Sequence, residues 1–188
     1  MDPKSVPTVK LNNGLDIPII GLGTWQAPPD GSLYRSVRTA ITDGYRHFDC
    51  ALIYENEEET GRAINDAIKE GQVKREDLYI VSKVWLTYYT RERAQECVRK
   101  ILAKFQTPYL DLCLVHWPMS FKQVDDTLWP TGADGKVIGG NIDYIECYKG
   151  LEDALKAGLV KSIGISNFTS EQVERLLQAT SVVPVTNQ

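Results

Sequence analysis

Four side chains of this 188-residue sequence could together move a proton: Asp49, Tyr54, Lys83 and His116. A phenol ordinarily ionises at about pH 10, too high for ready proton exchange at neutrality, and a nearby ammonium lowers that value by favouring the phenolate. Lys83 can supply that field, Asp49 can pair with a partly buried Lys83, and His116 can hydrogen-bond a substrate oxygen. The set reads as a proton donor aimed at a carbonyl. Each member also has a plainer reading. Asp49 could cap the next helix, but Asn56 stands closer to the acidic run that opens it. Lys83 alone could be a solvated strand-end lysine. His47, the other histidine, lies mid-strand between Arg46 and Phe48 and is expected to be structural.

An alternation of elements brings these residues together. Short apolar runs are expected as strands at Ile19–Gly23, Tyr45–Asp49, Leu78–Lys83, Leu110–His116, Lys161–Ser166 and Val182–Asn187, with helical periods between them, which is the pattern of a parallel sheet. The clearest helix carries Ala94, Cys97, Val98, Ile101, Leu102 and Phe105 on one stripe behind Thr90 as N-cap. A second follows Asn56, with Glu57, Glu58 and Glu59 in a first turn that the helix dipole favours and Gly71 as its stop. A capping box of Thr169 and Gln172 starts another, and Gly44 and Gly158 end two more. Thr8–Ile17 reads as a β-hairpin turning at Asn13-Gly14 and plugging one end of the sheet. From Trp117 to about Asn141 no period holds. That loop is long enough to be a functional suspect, and Trp117, Met119 and Trp129 favour a lid over a disordered insertion.

Gly21-Leu22-Gly23-Thr24-Trp25-Gln26 is not a dinucleotide-binding G-x-G-x-x-G, since a Trp stands where backbone must approach a pyrophosphate. Unbroken β-then-α order suits a (β/α)8 TIM barrel, here incomplete, with six parallel strands after the N-terminal β-hairpin. Residues 1–188 are expected to form a single domain. Every expected strand ends in polar residues: Thr24-Trp25, Asp49, Lys83, His116-Trp117, Ser166-Asn167 and Asn187-Gln188. They should face one another around a common mouth.

Several ordered motifs make the chain, from about Val9 to Gln188, resemble the aldo-keto reductases, a superfamily of (β/α)8 NAD(P)H-dependent oxidoreductases. They are Gly21-Leu22-Gly23-Thr24-Trp25, Gly44-Tyr45-Arg46-His47-Phe48-Asp49-Cys50-Ala51, Tyr54-Glu55-Asn56-Glu57, Val81-Ser82-Lys83, Leu114-Val115-His116-Trp117-Pro118 and Gly164-Ile165-Ser166-Asn167-Phe168. The resemblance implies a catalytic tetrad of Asp49, Tyr54, Lys83 and His116, with Tyr54 as general acid in aldehyde or ketone reduction. It implies that Ser166, Asn167 and Gln188 hold the nicotinamide carboxamide, and that Thr24 and Asp49 lie near its ribose. Trp25 and Trp117, with His116, would shape the substrate pocket. The cofactor implied is NADPH, with NADH left open.

Composition bounds the rest. A net charge of −4 argues against a nucleic-acid partner, and no apolar run approaches the ~20 residues of a membrane span. Met1-Asp2-Pro3-Lys4-Ser5 has no apolar stretch for a signal peptide, so a cytoplasmic address is expected. Cys50, Cys97, Cys113 and Cys147 lack metal or dithiol spacing and are expected as reduced packing residues, with no metal site. Full-length relatives by this resemblance continue with two more strands, an aromatic that stacks on the nicotinamide and a basic phosphate clasp. The chain is therefore expected to act as a shortened reductase with weak cofactor affinity, its open sheet edge offering a surface for self-association. Two alternatives remain: a non-catalytic interaction or scaffold protein on the same fold, and a lyase with Lys83 as Schiff-base nucleophile.

Overall fold

The computed structural model describes residues 6–188. The expected absence of a signal peptide falls on residues 1–5, outside the described residues. Strands β1 (Thr8–Lys10) and β2 (Asp16–Pro18) form an antiparallel hairpin. A parallel sheet follows, from β3 (Leu22–Gly23), β4 (His47–Asp49), β5 (Tyr79–Val84), β6 (Leu112–Val115) and β7 (Ile163–Ile165), with neighbours in chain order. Helices α1 (Ser32–Thr42), α2 (Glu57–Lys69), α3 (Arg91–Phe105), α4 (Tyr144–Lys156) and α5 (Ser170–Ala179) lie at the expected places. This is the sequential βα order of a (β/α)8 barrel, present here as an incomplete barrel.

Five strands stand where six are expected. Val182–Asn187 runs beside β7 but is joined to it only by an isolated parallel bridge between Ile165 and Asn187 and by bonds such as Val185 N–H to the Ile163 carbonyl at 3.0 Å. The Val185 N–H and the Thr186 carbonyl both face β7 although they belong to adjacent residues, so the alternation of a regular ladder is broken there. The first strand is also shorter than expected. Ile19 and Ile20 precede it, more than half exposed.

Two apolar layers hold the sheet. Its outer face packs on the helices, which approach one another closely: a Cβ on Gly61 would meet the Phe105 Cα at 2.7 Å, and one on Gly150 would meet the Arg91 carbonyl oxygen at 2.4 Å. The inner face gathers Tyr79, Val81, Leu112 and Leu114, with Ile17 of the hairpin and Val185 packed against them. The hairpin thus closes one end of the sheet. Asn13 Nδ2 donates to Ser162 Oγ at 2.9 Å and Asn12 Nδ2 to the Pro184 carbonyl at 3.0 Å. His47 is structural as expected, with Nδ1 2.9 Å from the Pro18 carbonyl and its ring edge-on to Tyr79. All four cysteines are buried and free. Among the described residues no helix is long and apolar enough to cross a membrane.

Candidate active site

The other end of the sheet carries the polar strand ends, and hydrogen bonds run across it from strand to strand. Thr24 donates from its N–H and its hydroxyl to the Asp49 carbonyl, at 3.0 and 3.2 Å. At the end of β5, Lys83 is 1% exposed; its Nζ donates to Asp49 Oδ1 at 2.8 Å, to the Cys50 carbonyl at 2.9 Å and to the Tyr54 hydroxyl at 3.5 Å. Tyr54 reaches that place from a 3-10 turn, Leu52–Tyr54, between β4 and α2. The His116 ring meets the Tyr54 ring edge-on at 6.0 Å between centroids. The four residues expected to act together are therefore one cluster. An ammonium has three protons, and those of Lys83 have three acceptors, on Asp49, Cys50 and Tyr54.

The electrostatics correct one expectation. Tyr54 is not brought below the ordinary phenol value; burial raises it, and the Lys83 charge only partly opposes that rise. Tyr54 therefore keeps its proton at neutral pH. His116 is pulled down to about 4, chiefly by burial and next by the Lys83 charge, so its imidazole is neutral. Its Nδ1 is buried with no partner among the described residues.

At the ends of β6 and β7, Asn167 takes the left-handed conformation, φ +66°, that a short polar side chain tolerates. Its Nδ2 donates to the His116 carbonyl at 2.9 Å and to Ser166 Oγ at 3.0 Å, and its N–H donates to the Gln188 carbonyl at 3.0 Å. Ser166, Asn167 and Gln188 thus stand together beside His116. With both Nδ2 protons used, Asn167 keeps its Oδ1 as an acceptor, and the exposed Gln188 side chain offers an amide donor, which together suit a carboxamide needing one of each. Thr24 is less free than expected, being buried with its hydroxyl held by Asp49, so the Asp49 carboxylate is the more accessible polar group of that pair.

The two expected aromatic walls stand open, and a third aromatic joins the site. Trp25 is 69% and Trp117 is 39% exposed, and neither forms a ring pair with the tetrad among the described residues. Trp85 does form one, edge-on to His116 at 5.3 Å between centroids. The long loop docks on it: Trp85 Nε1 donates to the Leu128 carbonyl at 2.7 Å, and Trp129 lies 5.0 Å from the Trp85 ring. The loop is a folded wall, braced by bridges from Phe121 to Gly139 and Thr131 to Val137, not a disordered insertion. Trp85 could have been found in the sequence, because it lies two residues after Lys83 and continues the strand alternation. Asn56 departs too. It begins α2 without a side-chain cap bond, and its Nδ2 donates instead to the Thr24 carbonyl at 2.8 Å.

Comparison with known proteins gives concordant results. The model of the Aldo/keto reductase family matches residues 19–188. Aldo-keto reductase family 1 member A1 of Rattus norvegicus is 42% identical over 182 residues, covering 96% of this chain and 55% of the relative. The Homo sapiens protein of the same name is 42% identical over 181 residues with the same shares. The chain thus spans about half the length of these curated relatives. Among solved structures, the aldose reductase of Schistosoma japonicum superposes with a TM-score of 0.91 at 39% identity, covering 96% of this chain and 60% of the other. A Bombyx mori aldo-keto reductase in complex with NADP superposes with a TM-score of 0.86 at 36% identity, covering 97% and 57%.

Proposed function

The chain belongs to the aldo/keto reductase family, and on that premise we propose that it reduces aldehydes or ketones to alcohols with NADPH, Tyr54 serving as general acid. The observation that carries this reading is the Lys83 ammonium, buried and held by Asp49 at 2.8 Å, with the Tyr54 hydroxyl at 3.5 Å. When bound, the reduced nicotinamide supplies the hydride. Ser166, Asn167 and Gln188 would hold its carboxamide, and Asp49 and Thr24 would lie toward its ribose.

The chain's own residues do the rest. Neutral His116 donates a hydrogen bond to the carbonyl oxygen and fixes its direction. As that oxygen gains charge, the proton passes to it from the Tyr54 hydroxyl, and Lys83 stabilises the phenolate left behind. Trp25, Trp117 and Trp85 would bound the substrate. The proposed compartment is the cytoplasm. Incubating the chain with saturating NADPH and an aromatic aldehyde should yield one alcohol per cofactor oxidised; no alcohol at cofactor saturation would refute the reading.

A further inference from the structure

The residue three after Tyr54 and the residue before Lys83 meet inside the fold. Ser82 Oγ donates to Glu57 Oε1 at 2.6 Å, and both residues are 0% exposed. Glu57 Oε2 has no hydrogen-bond partner among the described residues. A carboxyl buried in this way is costly, and neither a helix cap nor a favourable dipole at a solvated first turn accounts for it. Its bond does have a geometric consequence. It ties the backbone that carries the Tyr54 hydroxyl to the backbone that carries the Lys83 ammonium. Asn56 makes a parallel tie, from the same segment to Thr24 and through it to Asp49.

We propose that Glu57 is a positioning residue that holds Tyr54 against Lys83 through Ser82. The role rests on the proton-donor reading of Tyr54. The charged and titratable groups facing Glu57 are Lys83 on β5, Lys104 and Cys97 on α3, Cys113 on β6, Cys50 after β4 and Glu58 beside it. Burial outweighs them and pushes the Glu57 carboxyl up to about 7. His116, at about 4, and His47, held below its ordinary value by burial, change charge at lower pH.

The test uses the chain labelled with carbon-13 at the tyrosine Cζ, the Tyr54 resonance being the one lost in Tyr54→Phe. That resonance should step between roughly pH 6 and 8 as Glu57 loses its proton, and in Glu57→Gln the step should vanish. The glutamine carbonyl still accepts from Ser82, so that variant should keep turnover within about twofold of the parent. Ser82→Ala should displace the resonance at every pH and lower kcat about tenfold with KM unchanged. A flat resonance in the parent chain, or a Ser82→Ala spectrum with Tyr54 unmoved, would overturn the proposal. A step without any turnover would refute the reductase reading and leave Glu57 in its role. Turnover with a flat resonance would do the reverse.

Discussion

Two partly buried cation–carboxylate pairs sit at opposite ends of β5, and they are put to different uses. At the hairpin end, Arg75 meets Asp111 at 2.8 Å and also donates to Thr107 Oγ1 and to the carbonyls of Leu78 and Tyr109. Asp111 in turn accepts from the Ile80 N–H at 3.0 Å and lies 3.7 Å from Lys161. Every bond there ends on a fixed structural group. At the mouth, Lys83 and Asp49 are equally close, but the third acceptor of Lys83 is a phenol whose own proton has no acceptor among the described residues. The chemistry of the pair is the same. What differs is whether one mobile proton is left facing outward.

The same kind of substitution at the two ends should separate these uses. Lys83→Met should lower carbonyl turnover by roughly 10²-fold or more, since the phenolate loses its stabilising charge. Rates corrected for the folded fraction are the measurement.

Next in size is a pH effect confined to the mouth end. Glu57 has its folded value raised above the ordinary 4.5 to about 7, so its contribution is full below pH 4.5 and is lost as pH rises toward 7. His116 has its folded value lowered from 6.5 to about 4, so its contribution is present above 6.5 and is lost as pH falls toward 4. The two slopes oppose each other in the parent chain. Glu57→Gln should unmask the His116 slope, so that stability from denaturant midpoints rises with pH by an amount on the order of 2–3 kcal/mol across this window. A variant whose stability still falls with pH would assign the raised titration to another group.

At the hairpin end, Arg75→Met should cost about 2 kcal/mol of stability, less than for a fully dry pair because Arg75 keeps some solvent contact. Turnover per folded molecule should not change. The smallest effect belongs to the α5 cap, where the Thr169 hydroxyl accepts from the Gln172 N–H and the Gln172 side chain accepts from the Thr169 N–H. Thr169→Ala should cost about 1 kcal/mol by chemical denaturation and leave both pairs alone.

How much of this could be read from the residues follows from what spacing encodes. The alternation of strands and helices, the caps at Thr90 and Thr169, and the turn at Gly14, with φ +84°, follow from local pattern, and the structure contains each of them. The tetrad was legible because its members stand at strand ends or just after them. The direction of the Tyr54 shift was not, because burial depends on everything packed around the ring and outweighs a single neighbouring charge. Glu57 stands in the first turn as expected, but the dipole argument gives no sign that it is buried. Its period gives that sign: residues 57, 60, 61 and 64 form one helical stripe, and Thr60, Gly61 and Ile64 are all buried with it. The sixth strand is not regular for a local reason: the Val185 N–H and the Thr186 carbonyl, on adjacent residues, both face β7, which breaks the alternation a ladder requires.

The most direct test of the Tyr54 assignment compares the parent chain with Tyr54→Phe at saturating NADPH, following alcohol formation and, separately, dinucleotide binding by fluorescence. The account predicts that the variant binds the dinucleotide with affinity close to the parent's and loses reduction by at least ~10²-fold, because a single hydroxyl and its proton are gone. A phenylalanine variant that still reduces the aldehyde at the parent's rate would move the proton donor elsewhere and contradict it.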